Sequence, residues 1–240
     1  MDGLPDGNLL ISSWLFSGTI TVATLTTALA AYDTMVNDRF SSRSKDFTVS
    51  PIKRSSLAGG YILSALFIGI VMSVVTAVGA QIIMLVMGGS LLPVTEWIRL
   101  IGYIVLAVSF AAPCMFFVCS FLKTNGAFST LSTLVGTLIG FLTGLYMPIG
   151  ELPAMVQPIV RFFPPSHAGV LIRDVLMKEF IQTTFAGAPD AVVEAFKLDM
   201  GIIYKVGDTE ITPLMSIGYL LACAVLFFAL SVWRAGKKEK

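Results

Sequence analysis

Charge is the scarcest ingredient of this chain. Only 13% of its 240 residues are Asp, Glu, Lys or Arg, against roughly 25% in an average soluble domain. Histidine occurs once, at His167, and cysteine three times, at Cys114, Cys119 and Cys223. One histidine supports neither a His-based triad nor a zinc set, and the thiols lack metal-site spacing. All three thiols fall in apolar stretches, where they read as small packing groups. The net charge is +1, and no basic block approaches a nucleic-acid stripe. A phosphate loop of the form G-x-x-x-x-G-K-[ST] is missing: Ala235-Gly-Lys-Lys238 lacks the upstream glycine and the hydroxyl. A soluble enzyme, a disordered chain and a secreted disulfide scaffold are thereby excluded.

What the chain has instead is length without charge. Residues 7–32, 55–95, 100–122, 124–150 and 211–233 contain no Asp, Glu, Lys, Arg or His. A helix crosses a bilayer with about 20 apolar residues, and each stretch is long enough. The mean hydropathy of +0.84 agrees. The fold class is therefore all-α integral membrane, one transmembrane domain over residues 1–240, with spans expected at about 9–32, 57–87, 100–122, 126–147 and 212–233. The second stretch has no turn signal until Gly88-Gly89-Ser90 and Pro93, so it reads as one long helix that tilts or projects beyond the membrane.

Basic residues set the orientation. Segments 33–54, 123 and 234–240 hold 10 Lys and Arg; the alternate segments 1–6, 96–99 and 151–210 hold 6, with 11 acids. The positive-inside rule puts the first set in the cytoplasm. The expectation is a multi-pass protein of the cell membrane with its amino terminus outside and its carboxyl terminus cytoplasmic. An N-out start without a charged leader is uncommon, and one further span ahead of Met1 would explain it.

Two segments outside the spans have character. Residues 38–54 mix charges of both signs with Phe40, Phe47, Val49 and Ile52. This loop reads either as a solvated anchor of topology or as a short surface helix that docks on a partner. Arg43 and Phe47 would share one face of such a helix, and Pro51 would end it. Residues 151–210 begin apolar but are broken by prolines. They read as two short helices, about 153–161 and 166–180, each too short to span and of re-entrant or interfacial composition. The remainder, through Gly187-Ala-Pro-Asp190 and residues 199–209, reads as polar loop.

No titratable carboxylate, imidazole or amine lies in the apolar stretches, which weighs against an ion-coupled carrier and an intramembrane acid–base enzyme. Their polar content is hydroxyls: Thr19, Thr21, Thr24, Thr26 and Thr27 in the first, Ser129, Thr130, Ser132, Thr133, Thr137 and Thr143 in the fourth. These serve helix packing or a mildly polar path for an amphipathic substrate.

Two separated patterns carry a resemblance. Asp38-Arg39 followed by Lys45-Asp-Phe-Thr-Val-Ser-Pro-Ile-Lys-Arg54, directly before a long span, resembles the coupling-helix region of type-2 ABC exporter permeases. Met147-Pro-Ile-Gly-Glu-Leu-Pro153 and Phe162-Phe-Pro-Pro-Ser-His-Ala-Gly-Val-Leu-Ile-Arg173 resemble that family's external helix pair, with its Leu-Pro start, central Pro and closing Arg. The order of elements is similar along essentially the whole chain, except that the family's first span is missing. The chain then resembles a truncated start or one part of a split protein. The resemblance implies a permease subunit of an ATP-driven exporter of drugs, lipids or other amphipathic molecules, without enzymatic activity of its own. It implies contact with an ABC ATPase subunit through Phe40, Arg43, Lys45, Asp46, Phe47, Ser50 and Pro51, and an external gate at Pro153, Pro164, Pro165 and Arg173. It also implies pairing with a second permease copy and contact with membrane lipid. No catalytic residue, metal or cofactor belongs to this chain on that reading; ATP and magnesium would sit on the partner. An accessory or scaffold membrane protein that moves nothing, and an ion-coupled carrier, are the alternatives.

Overall fold

The computed structural model describes residues 6–40, 54–122, 124–207 and 209–236. Its helices are α1 (Gly7–Ala31), α2 (Asp33–Phe40), α3 (Arg54–Val86), α4 (Val94–Cys119), α5 (Asn125–Leu142), α6 (Gln157–Phe162), α7 (Pro164–Thr184), α8 (Asp190–Asp199) and α9 (Pro213–Gly236). A 3₁₀ turn at Ile149–Glu151 precedes α6, and strands β1 (Tyr204–Val206) and β2 (Thr209–Ile211) form a small antiparallel hairpin before α9. Among the described residues, five helices are long and apolar enough to cross a membrane: α1 with α2, α3, α4, α5 and α9. The protein is an all-α integral membrane protein.

Local chemistry explains where these helices start and stop. The hydroxyls of α1 fold back on its own carbonyls, as in Thr21 to Ser17 at 2.8 Å and Thr24 to Thr21 at 2.7 Å. They are thus satisfied without water. The 33 residues of α3 form one unbroken helix, ending where the Gly89 N–H reaches back to the Met84 carbonyl at 2.9 Å. α5 opens on Thr124, whose side chain accepts the Ala127 N–H at 3.1 Å, an N-cap.

α5 has 18 residues, about 27 Å, and stops at Leu142 rather than near residue 147. Gly144 takes a left-handed conformation there, φ +68°, and the Leu145 N–H closes back on the Gly140 carbonyl at 2.7 Å, as in a glycine-terminated helix. An insert that includes α6, α7 and α8 then separates α5 from α9. We call this end of the bundle the insert end, and the opposite one, where α1 gives way to α2, the α2 end.

Within the insert the structure differs from the sequence expectation: the first short helix begins at Gln157 rather than near residue 153, and β1 and β2 occupy part of the expected loop. The second helix is not short: α7 has 21 residues. The expected break stands at Phe163, where the backbone is extended, and Pro164 and Pro165 follow it in the first turn of α7, where a missing N–H costs nothing. The stretch read as loop contains α8, ten residues from Asp190 to Asp199.

α7 runs into the bundle. Phe180 and Ile181, at its carboxyl end, pack with Leu9, Leu10 and Trp14 at the start of α1. Ile172 and Val175 pack with Ile20 of α1, Ala77 and Ala80 of α3, and Leu100, Ile104 and Val108 of α4. Ala168 and Leu171, nearer its amino end, join Leu25, Ala112, Ile139 and Leu220 in the main core. It is a helix let into the membrane domain from the insert end.

Candidate functional site

At the α2 end a single residue separates α1 from α2. Tyr32 is 0% exposed, and its hydroxyl donates to the Ala112 carbonyl of α4 at 2.7 Å. Its ring meets Phe116 edge-on at 5.8 Å. Met35 and Val36 of α2 are buried in the same core, and Asp38 accepts the Tyr61 hydroxyl of α3 at 2.8 Å. α2 is thus seated against α5 and tied to α3, with Tyr32 at its start bonded to α4, and it leads straight into the segment expected to contact an ATPase. Of that set, the backbone of Phe40 ends α2. Arg43, Lys45, Asp46, Phe47, Ser50 and Pro51 lie outside the described residues.

The residues expected at an external gate are not gathered on one surface. Pro153 is exposed, Pro164 half-buried and Pro165 buried at the start of α7. Arg173 is 0% exposed. Its guanidinium donates to the carbonyls of Thr143 at 2.5 Å, Gly144 at 2.9 Å and Gly201 at 3.2 Å, and lies 6.0 Å from the Trp14 ring centroid. Trp14 in turn donates its indole N–H to the Met200 carbonyl at 3.1 Å. Thr143 and Gly144 end α5; Met200 and Gly201 end α8, where the Ile202 N–H closes on the Lys197 carbonyl at 2.8 Å.

Two helix carboxyl ends therefore point at one cation. Each carries roughly half a negative charge, so together they offset about one positive charge. This accounts for a buried arginine with no carboxylate among its described partners. Burial still pulls its pKa below the usual arginine range, with the Tyr204 phenol acting the other way.

A polar corner lies beside it. His167 faces the Arg161 carbonyl through Nε2 at 2.8 Å and the Ser216 hydroxyl through Nδ1 at 3.1 Å. A carbonyl can only accept, so Nε2 carries the proton and Nδ1 accepts from Ser216. Burial holds the imidazole below its ordinary pKa, the Arg161 carbonyl opposing. Burial also raises the Tyr204 phenol, against the nearby Arg173 charge. Tyr219 of α9 donates to the Phe162 carbonyl at 2.6 Å. The corner between α6 and α7 is thereby fixed to the first turns of α9.

Sequence reasoning named Arg173 as a gate residue but missed its burial and the groups around it, His167, Tyr204 and Trp14, because it counted charges only in the uninterrupted apolar runs. The signal was His167 and Arg173 set six residues apart in an apolar helical stretch.

A third feature lies along α5. Ser129, Thr130, Thr133 and Thr137 are exposed, and the three threonines bond back to Gly126, Ser129 and Thr133 at 2.9–3.0 Å. α5 is also the least buried of the five long helices. The row ends at Phe141, whose ring meets Tyr146 edge-on at 5.0 Å. Hydrocarbon is a poor neighbour for a row of hydroxyls, even self-bonded ones.

The sequence matches the family model described as ABC-2 family transporter protein over residues 7–233. No curated protein matches the chain. The match takes in all five long helices, α2 and the whole insert, and families of this kind supply the membrane component that works with an ABC ATPase. The chain belongs to the ABC-2 transporter family, as a membrane permease.

Proposed function

We propose that this permease is the export subunit of an ATP-driven transporter. An ABC ATPase docks on residues 38–54, and two permease copies enclose a path for a drug, lipid or other amphipathic substrate. The observation that carries this reading is the placement of α2. It is locked into the core by Tyr32, Met35 and Val36, and it delivers the chain directly to the docking segment. A loop that served only to anchor topology would have no need of so firm a seat. The exposed hydroxyl row of α5 supports a mildly polar path between copies, a surface wet enough for a polar head and apolar enough for a tail. On this reading the α2 end is cytoplasmic, the insert is external, and nucleotide and magnesium belong to the ATPase.

Purification from native membranes tests the proposal. An ATPase with a phosphate loop should accompany the chain, and ATP hydrolysis should be sensitive to vanadate. Transport that persists without ATP and collapses with the proton gradient would overturn it in favour of an ion-coupled carrier. A chain recovered alone, moving nothing, would favour a scaffold. Cysteines placed at Ala186 and Asp199 should react with an impermeant reagent on intact cells, and one at Ser44 should not.

A further inference from the structure

The structure points to Tyr32 as more than a core residue. Pro113 stands inside α4, and a proline there withholds the N–H that the Ser109 carbonyl would otherwise receive, so the helix is weakest at that turn. Two carbonyls at this turn each take a hydroxyl from outside α4. Ala112 receives Tyr32 at 2.7 Å, and Pro113 receives Ser231 of α9 at 2.8 Å. All three side chains are buried. One of these bonds comes from the residue that joins α1 to α2, the other from α9, far from α2 along the chain. α2 is held a second time where Tyr61 reaches Asp38.

We infer that Tyr32 is a positioning residue for transport. Its hydroxyl passes displacement of α2, driven from residues 38–54, to the proline turn of α4, and so bends the part of α4 that faces the insert end. A rigid helix would carry such a push along its axis, whereas a helix lacking one backbone bond can hinge. This inference rests on the proposed docking of an ATPase at 38–54. It adds the route by which that docking reaches the far end of the bundle.

The test uses the full permease–ATPase complex in lipid nanodiscs, with the three native cysteines replaced by alanine. Nitroxides are placed at Val94→Cys, on the first turn of α4, and Met155→Cys, in the insert; both positions are well exposed. The labelled chain is diluted with unlabelled chain, and pulsed electron resonance reads the distance with and without ATP plus vanadate. With Tyr32 present, ATP shifts the distance. Tyr32→Phe keeps the ring and the fold. It should leave ATPase recovery and hydrolysis within twofold of the parent, yet reduce the ATP-driven shift by half or more. Ser231→Ala removes the other hydroxyl from the same turn and should keep the shift. A full shift in Tyr32→Phe, an equal loss in Ser231→Ala, or no shift in the parent while ATP is hydrolysed would each overturn the inference. Failure of the parent to bind any ATPase would count against the docking proposal itself and remove the inference with it.

Discussion

Arg173 shows how one side chain can hold an insert together. It joins the end of α5, the end of α8 and the middle of α7 through three carbonyls, all shielded from solvent. Hydrogen bonds from a charged donor contribute about 1.5–3 kcal/mol each, and a buried acceptor left unpaired costs about 1–3 kcal/mol. Arg173→Ala should therefore destabilise the protein by at least about 3 kcal/mol. Arg173→Lys should recover only part of this, because an ammonium lacks the planar fork that reaches both helix ends. Thermal unfolding in detergent, followed by size-exclusion chromatography, checks both. His167 gives a pH dependence with a definite sign. Its pKa in the folded protein is below the ordinary 6.5 because burial disfavours the charged ring. The unfolded chain then binds more protons between the two values, so stability rises with pH across that window. The full contribution is present above pH 6.5 and falls as acid carries the pH from there through the lowered folded value. Stability measured from about pH 7.5 down to about pH 5 should show this fall in the parent and a flatter curve in His167→Asn.

At the scale of helices, the glycine turns that end α5 and α8 are as specific as the arginine they face. Gly144 and Gly201 have φ of +68° and +67°. A methyl at Gly201 would come within 2.5 Å of Ile149 Cδ1, and one at Gly144 within 2.9 Å of Ile149 Cγ1. Each glycine-to-alanine change should cost roughly 1–3 kcal/mol, read by the same unfolding assay. The exposed row on α5 should behave oppositely. Thr133→Val and Thr137→Val keep shape and lose only self-bonded hydroxyls, so stability should stay within about 0.5 kcal/mol. Transport should fall several-fold if the row lines the path; unchanged transport by the double variant would argue that the hydroxyls serve packing alone. The long helices were legible because charge-free runs of more than twenty residues have few alternatives. The insert was harder to read. The break at Phe162-Phe-Pro-Pro165 was legible and stands between α6 and α7, but the depth to which α7 enters the bundle depends on the packing of Ala168 and Leu171 on α1 and α4. α8 carries its own start signal in Pro189-Asp190, with Val193 and Phe196 forming its packed side, but the polar residues around them mask it.

For the whole molecule, the sequence revealed the membrane class and the family, each from patterns that extend over tens of residues. It did not reveal that a helix outside the apolar runs enters the bundle carrying an arginine and a histidine, because that depends on contacts between residues more than a hundred positions apart, such as Trp14 with Met200. Nor could spacing show that Tyr32 reaches α4 at its proline. The central claim is that an ATPase docks on residues 38–54, and the most direct measurement is its recovery with the purified permease. Phe47 is proposed as the apolar anchor, and truncating such an anchor commonly costs at least about 2 kcal/mol. Phe47→Ala should therefore weaken attachment about thirtyfold while insertion and expression stay normal. Ordinary ATPase recovery with Phe47→Ala, and again with Ser50 and Pro51 both replaced by alanine, would contradict the account.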